Sequence, residues 1–135
     1  MIKKFLVSVL LAAVLYSCGS ETKKEPTTDM EVARAFVRNI LDNNFKDAER
    51  FLLKDEVNTQ IFERFKKQYN EKDKAVLEKY KQADIIVHEQ SYVTDSIFIF
   101  NYSNSYMMDN KTVLKLVRID GKWLVDLKYT ISGNL

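Results

Sequence analysis

The sequence predicts an α+β domain in which helices come first and an antiparallel sheet follows. Between about residues 29 and 83, apolar positions recur every three or four residues, which is the period of an amphipathic helix. From Asp84 onward the apolar positions alternate, and β-branched and aromatic residues become frequent, as in half-buried strands. Because helices and strands are segregated along the chain, we expect the N-terminal helices to pack on one side of a sheet of about four strands.

The predicted helices begin with a clear start signal. Thr28 and Glu31 have the spacing of a capping box, which predicts that the first helix begins there. Asn43 and Asn44 can adopt the left-handed backbone conformation that commonly ends a helix. Three further helices are predicted over 45–53, about 56–69 and 71–83. The apolar face of the third of these four helices steps by four residues through Val57, Ile61, Phe65 and Tyr69.

The strands are predicted over about 85–92, 96–104, 111–119 and 122–131. Asp120-Gly121 is a type I′ turn signal, and it places Arg118 opposite Trp123 and Lys115 opposite Asp126. Charged residues would enter the core if this register slipped by one. The face expected to point inward contains neither a carboxylate nor a histidine: Thr112, Leu114, Leu116, Arg118, Trp123, Val125, Leu127 and Tyr129.

Residues 1–17 have the three parts of a secretory signal: a basic start with Lys3 and Lys4, an apolar run over 5–15, and a small-residue end. The run is too short for a bilayer-spanning helix, which needs about 20 residues. Residues 19–28 contain no apolar side chain other than the single proline, so they are predicted to form a solvated tether. The remaining residues, 29–135, form the predicted domain.

Leu15-Tyr16-Ser17-Cys18 resembles the lipobox of bacterial lipoproteins. The resemblance implies that Cys18 is acylated, palmitate being one such chain, and becomes the new N-terminus of a stable membrane anchor. Gly19 stands where lipoproteins retained at the inner membrane commonly have Asp. By resemblance, this favours the outer membrane, with the domain facing the periplasm or the cell surface.

Composition excludes several classes of function. The chain has 21 Lys and Arg against 19 Asp and Glu, and two of the lysines lie in the signal, so the mature chain is balanced and lacks the basic footprint of a nucleic-acid-binding protein. One Cys and one His, with no paired acidic motif, predict no metal site, and the three glycines form no phosphate-binding loop. We expect no cofactor.

The capped first helix, the short helix at 44–52 and the closing strand pair around Asp120-Gly121-Lys122-Trp123 together resemble the NTF2-like superfamily. More narrowly, residues 28–131 resemble small bacterial lipoproteins of a domain-of-unknown-function family with that fold. The resemblance implies a curved sheet around a long helix, a cone-shaped pocket and a homodimer through the outer sheet face. It implies no single activity, because the superfamily includes isomerases, dehydratases and carrier modules.

A cluster of aromatic and methionine residues is the main candidate surface. Residues 97–100 are apolar at every position, so this strand is predicted to be covered on both faces, by helices on one side and by a dimer partner, a ligand or a binding protein on the other. His88 is expected to point outward beside Glu89. The candidate pocket or interaction residues are Tyr102, Tyr106, Met107, Met108, Arg118 and Trp123.

These observations favour a lipid-anchored binding or interaction module of the cell envelope that catalyses no reaction. One alternative is a small-molecule-binding protein or acid/base enzyme that uses the cone. Another is an accessory subunit of an envelope assembly whose partner covers residues 97–108.

Overall fold

The computed structural model describes Gly19 and residues 22–131. The predicted signal peptide and Cys18 lie outside the described residues. Helices α1 (Asp29–Leu41), α2 (Phe45–Glu49), α3 (Glu56–Asn70) and α4 (Lys74–Gln82) precede the strands β1 (Ile85–Thr94), β2 (Ile97–Asn104), β3 (Met107–Ile119) and β4 (Lys122–Asp126), and a short helix α5 (Lys128–Ile131) follows. The strands form an open antiparallel sheet in the order β1-β2-β3-β4. The predicted α+β class, with helices before the sheet, is confirmed.

Helix α1 begins and ends as its sequence predicts. The Thr28 hydroxyl accepts a hydrogen bond from the Glu31 amide, and the Glu31 carboxylate accepts one from the Thr28 amide at 3.1 Å. Asn43 adopts the left-handed conformation with φ of 59°. Both ends of the helix therefore satisfy backbone groups that would otherwise lack partners.

The β3–β4 hairpin has the predicted register. Lys115 pairs with Asp126, and Arg118 pairs with Trp123. Asp120 and Gly121 have φ of 50° and 74°, the positive values that a type I′ turn requires. The turn therefore directs Leu116 and Val125, both fully buried, toward the helices.

The predicted strand over 122–131 is wrong beyond Asp126. Leu127 leaves the sheet because its backbone amide donates to the side chain of Asn58 at 2.7 Å. Residues 128–131 then turn into α5, so Tyr129 lies on a helix and not on an inward strand face. Thr130 secures α5 by donating to the Val113 carbonyl at 2.9 Å.

The predicted buried face of α3 is wrong at its first position. Val57 is 51% exposed, whereas Asn58, Ile61 and Phe62 are buried. A polar residue takes the inward position because Asn58 bonds the end of β4, as described above. The face is therefore rotated by about one residue at its N-terminal end.

The core lies between α1 and the inner face of the sheet. Phe36 and Val37 of α1 pack in one cluster with Phe98, Phe100 and Leu116 of the strands. Each such side chain contributes about 1.5 to 3 kcal/mol through burial of apolar surface. Breaks in register after Val87, Tyr92 and Tyr102 add bulges that bend the strands. Within the described residues, no helix combines the length and apolar character needed to cross a membrane.

Candidate functional site

A cavity of about 320 Å³ lies between the helices and the β2–β3 end of the sheet. Helix α1 closes one side with Phe36 and Ile40, and β3 closes the other with Leu114. The remaining lining comes from α2, α3, α4, β2 and α5, so distant parts of the chain build one space. The other lining residues are Val37, Leu41, Phe45, Phe65, Gln68, Tyr69, Lys72, Tyr80, Tyr102, Ser103, Asn104, Asn110, Thr112, Leu127 and Thr130.

Aromatic rings form much of the cavity wall. The Tyr69 ring packs edge-on against Phe45 at 5.5 Å between centroids and contacts Tyr80 at 5.4 Å. On the opposite side, Tyr102 stacks on Phe100 at 5.5 Å. Such rings offer large apolar contact areas with little rotational freedom to lose. The aromatic wall of the cavity therefore suits an apolar ligand.

The phenol groups in this wall already have partners. Tyr69 donates to the Leu41 carbonyl at 3.2 Å, and the Tyr80 hydroxyl contacts the Met107 sulfur at 3.1 Å. Burial raises the pKa of Tyr102 to about 12, although a hydrogen bond with Thr112 opposes the shift. Burial also raises the pKa of Tyr69 and of Tyr80. All three side chains are neutral at physiological pH.

Among the described residues that line the cavity, Lys72 alone is charged at neutral pH. The lining contains no carboxylate and no imidazole, so it lacks the groups that usually transfer protons near neutral pH. No cluster of three or more potential metal ligands occurs in the described part of the chain. This composition suits reversible binding of a small molecule rather than acid/base chemistry.

The predicted site residues do not form one site. Tyr102 lines the cavity. Tyr106 and Met107 lie at the β2–β3 turn, where Tyr106 packs edge-on against Tyr80 at 5.5 Å. Met108, which is 60% exposed, lies beside them without lining the cavity. Tyr102 therefore belongs to the cavity wall, whereas Tyr106, Met107 and Met108 together line a separate surface recess at the β2–β3 turn.

Arg118 and Trp123 lie at the other end of the domain. They line a shallow surface recess together with Asp29, Tyr92 and residues of the segment before α1. The recess adjoins the first turn of α1, whereas the cavity adjoins its last turns, and the 13-residue helix is about 20 Å long. Arg118 and Trp123 are thus separate from the cavity.

The segment before α1 is partly held against this end of the domain. Arg50 makes two hydrogen bonds to the Glu25 carboxylate, at 2.8 and 2.9 Å. Pro26 lines a second surface recess together with Phe51 and Trp123. Glu25 and Pro26, two residues of the predicted solvated tether, therefore lie against the domain.

His88 does not line the cavity. Its side chain is exposed on β1, and its Nε2 atom lies 2.8 Å from the Ser103 hydroxyl. Val87, the preceding residue, packs against the core. This arrangement fits the expectation that Val87 points inward and His88 outward.

Sequence reasoning missed several cavity residues, among them Tyr69, Lys72, Tyr80 and Thr112. The spacing of Tyr69 predicts only that it lies on the apolar face of α3, and Tyr80 lies in a charge-rich helical stretch. Lys72 lies in a charged stretch and carries no local signal. Their convergence depends on how α3 and α4 pack on the sheet, which no local pattern encodes.

The fold and this site define an α+β domain with a largely apolar cavity that opens to solvent. Comparison of the chain with protein-family models, with curated proteins and with solved structures finds no match.

Proposed function

We propose that the chain is a lipid-anchored binding module of the cell envelope that holds a small, mainly apolar ligand in its cavity and catalyses no reaction. The composition of the cavity lining carries this proposal. Aromatic and aliphatic side chains supply most of the surface, and the phenols of Tyr69 and Tyr80 are engaged in internal contacts. Ligand sites usually combine such walls with a few polar groups at defined positions.

We also propose that the fold is NTF2-like. Three features support this assignment: an antiparallel meander bent by bulges, the helix α1 packed across its inner face, and a cavity at one end between them. The fold leaves function open, so the argument for binding depends on the cavity itself.

An acid/base enzyme that uses the cavity is the weaker alternative. General acid/base catalysis is efficient when the pKa of the catalytic group lies near the working pH. Burial raises the pKa of Tyr102 to about 12. Burial raises the pKa of Tyr69 and of Tyr80 as well, and the described lining contains neither a carboxylate nor an imidazole.

A titration with indole tests ligand binding in the cavity. We use the full chain carrying Cys18→Ser, so that no acyl chain competes, and follow backbone amide signals by NMR. Indole should shift the signals of cavity residues such as Phe36 and Tyr102. Thr112→Phe should weaken binding at least about tenfold because its ring fills the space, whereas Thr59→Phe on the exposed face of α3 should not. Shifts confined to other surfaces would contradict the proposal.

Acylation of Cys18 is tested separately. Cys18→Ser should move the protein from the membrane fraction to the soluble fraction and abolish lipid labelling. Ser8→Ala, within the apolar run of the signal, should change neither result. Membrane retention that survives Cys18→Ser would contradict the lipid anchor and, with it, the proposed location at the outer membrane.

We further propose a homodimer through the outer face of the sheet. Ile97, Ile99, Val117 and Leu124 leave that face largely apolar and only half-buried. A partner sheet would cover these apolar residues.

The solution mass tests this dimer. We expect twice the chain mass for the unmodified domain and a monomer for Ile99→Arg, with Val57→Arg on the exposed face of α3 as the matched control. A monomeric parent would contradict the homodimer. It would favour the accessory-subunit alternative, in which a different protein covers residues 97–108.

A further inference from the structure

The charge at the cavity mouth identifies the class of ligand. We infer that the cavity takes a small organic acid, with its apolar body inside and its single anionic head beside Lys72. This inference rests on the proposed binding function of the cavity. It adds a chemical class that the shape of the cavity alone does not give.

The buried part of the cavity offers a charge no ionic partner. The lining includes the buried side chains of Phe36, Phe45 and Leu114, and the phenol of Tyr69 already donates to a backbone carbonyl. Burying an unpaired ionised group in such surroundings is strongly unfavourable. A charged head must therefore remain at the mouth, where water and polar side chains reach it.

Lys72 is the cation placed to meet that head. It lies between α3 and α4, its side chain is exposed, and its ammonium nitrogen is 6.0 Å from the centre of the Tyr80 ring. It forms no salt bridge with any described carboxylate, although it lines the cavity. An anion at the mouth would therefore gain an ionic partner without breaking an existing ion pair.

The other polar groups at this end also suit an acid. The amides of Gln68 and Asn110 line the cavity, and each can donate hydrogen bonds to carboxylate oxygens. No lining residue among those described carries a negative charge to repel the head. The same surroundings disfavour an amine, whose ammonium group would face Lys72 with no compensating carboxylate.

The volume limits the size of the apolar body. A cavity of about 320 Å³ holds about ten non-hydrogen atoms if each heavy-atom group occupies about 30 Å³, as a water molecule does. Octanoate has this size and one carboxylate. Octanol and octylamine keep the same chain but carry a neutral head and a cationic head, which isolates the effect of charge.

The test compares these three probes by NMR titration of the full chain carrying Cys18→Ser at neutral pH. We expect octanoate to bind about fivefold more tightly than octanol, because an ion pair between its carboxylate and the exposed Lys72 adds a modest amount of binding free energy. Octylamine should bind most weakly. Lys72→Met should lower octanoate affinity to that of octanol and leave octanol affinity unchanged. Lys74→Met, two residues along and outside the lining, should preserve the order.

The outcomes separate this inference from the proposed function. Equal affinity for the acid and the amine, or an acid preference that survives Lys72→Met, would overturn the inference and leave cavity binding intact. Failure of all three probes to shift cavity signals would overturn both. An acid preference lost in Lys72→Met but kept in Lys74→Met supports the assignment.

Discussion

The buried amide of Asn58 connects the start of α3 to the end of β4, and its replacement by alanine gives a prediction of defined size. The Asn58 side chain is fully buried. Its oxygen accepts from the Leu127 amide at 2.7 Å, and its nitrogen donates to Asp126 at 3.2 Å and to Asp55 at 3.0 Å. Asn58→Ala removes all three hydrogen bonds at once.

The expected loss of stability in Asn58→Ala follows from the buried polar groups that the substitution leaves without a hydrogen-bond partner. A buried amide without an acceptor costs about 1 to 3 kcal/mol, and loss of a hydrogen bond to a charged group costs about 1.5 to 3 kcal/mol. Asp126 keeps two lysine partners, Lys115 at 3.7 Å and Lys128 at 3.8 Å, which limits the damage. We therefore expect Asn58→Ala to lower the free energy of unfolding by about 3 to 5 kcal/mol.

Urea unfolding followed by the fluorescence of Trp123, the single tryptophan, measures this loss. The denaturant slope should stay constant, since the folded state keeps its compactness. Gln60→Ala removes an exposed amide from the same helix and should change stability by less than about 0.5 kcal/mol. A loss below about 1 kcal/mol in Asn58→Ala would contradict this estimate, because the hydrogen bonds of the buried side-chain amide would then contribute little to the free energy of unfolding.

Three further predictions concern other contacts. Arg38 donates to three carbonyl groups at the C-terminal end of α4, at 2.7, 3.0 and 3.2 Å, so Arg38→Ala should speed amide hydrogen exchange in α4 while exchange in α1 changes little. The backbone amide of Asn58, followed by the side chain of Lys128, donates to the Asp55 carboxylate and holds its pKa below the usual range. That stabilisation is present above the unfolded-state pKa of about 3.9 and is lost as pH falls through the lower folded-state pKa; Asp55→Asn should therefore flatten the acid side of the stability profile. Trp123 is only half-buried, so Trp123→Ala should cost about 2 kcal/mol rather than the 3 to 5 kcal/mol of a fully buried ring; thermal unfolding measures this, and an unchanged midpoint would contradict it.

The parts of the fold that sequence predicts well are those whose signals are local. The capping box at Thr28 and the turn at Asp120-Gly121 each involve residues within a few positions of one another. Their geometry therefore does not depend on the rest of the chain. The hairpin register follows directly from the turn, which is why the pairing of Lys115 with Asp126 is confirmed.

The errors arise where a distant partner overrides a local pattern. Val57 continues an apolar period of four, but the helix turns Asn58 inward because the end of β4 needs a hydrogen-bond acceptor. The same contact draws Leu127 out of the sheet and ends the predicted last strand early. Neither event has a signal within its own segment.

A pocket in this domain is predicted only by the resemblance of the chain to the NTF2-like superfamily. The pattern of the lining residues in the sequence does not predict it. Tyr102 was found because it lies in a conspicuous aromatic run, whereas Lys72 and Tyr80 belong to a charged helical stretch that looks solvated. Arg118 and Trp123 share the inward strand parity of Leu114, but Arg118 lies four residues, about 13 Å, further along β3. The alternation of residues along a strand predicts on which face of the sheet a side chain lies. It does not predict which features of that face the side chain lies next to.

A crystal structure of the full chain with Cys18→Ser, grown with indole, shows whether the cavity is a ligand site. We expect electron density for indole between Phe36 and Tyr102, with Tyr69 and Tyr80 retaining their internal contacts. A collapsed cavity filled by its own side chains, with indole absent or bound only on the outer sheet face, would exclude ligand binding at this site.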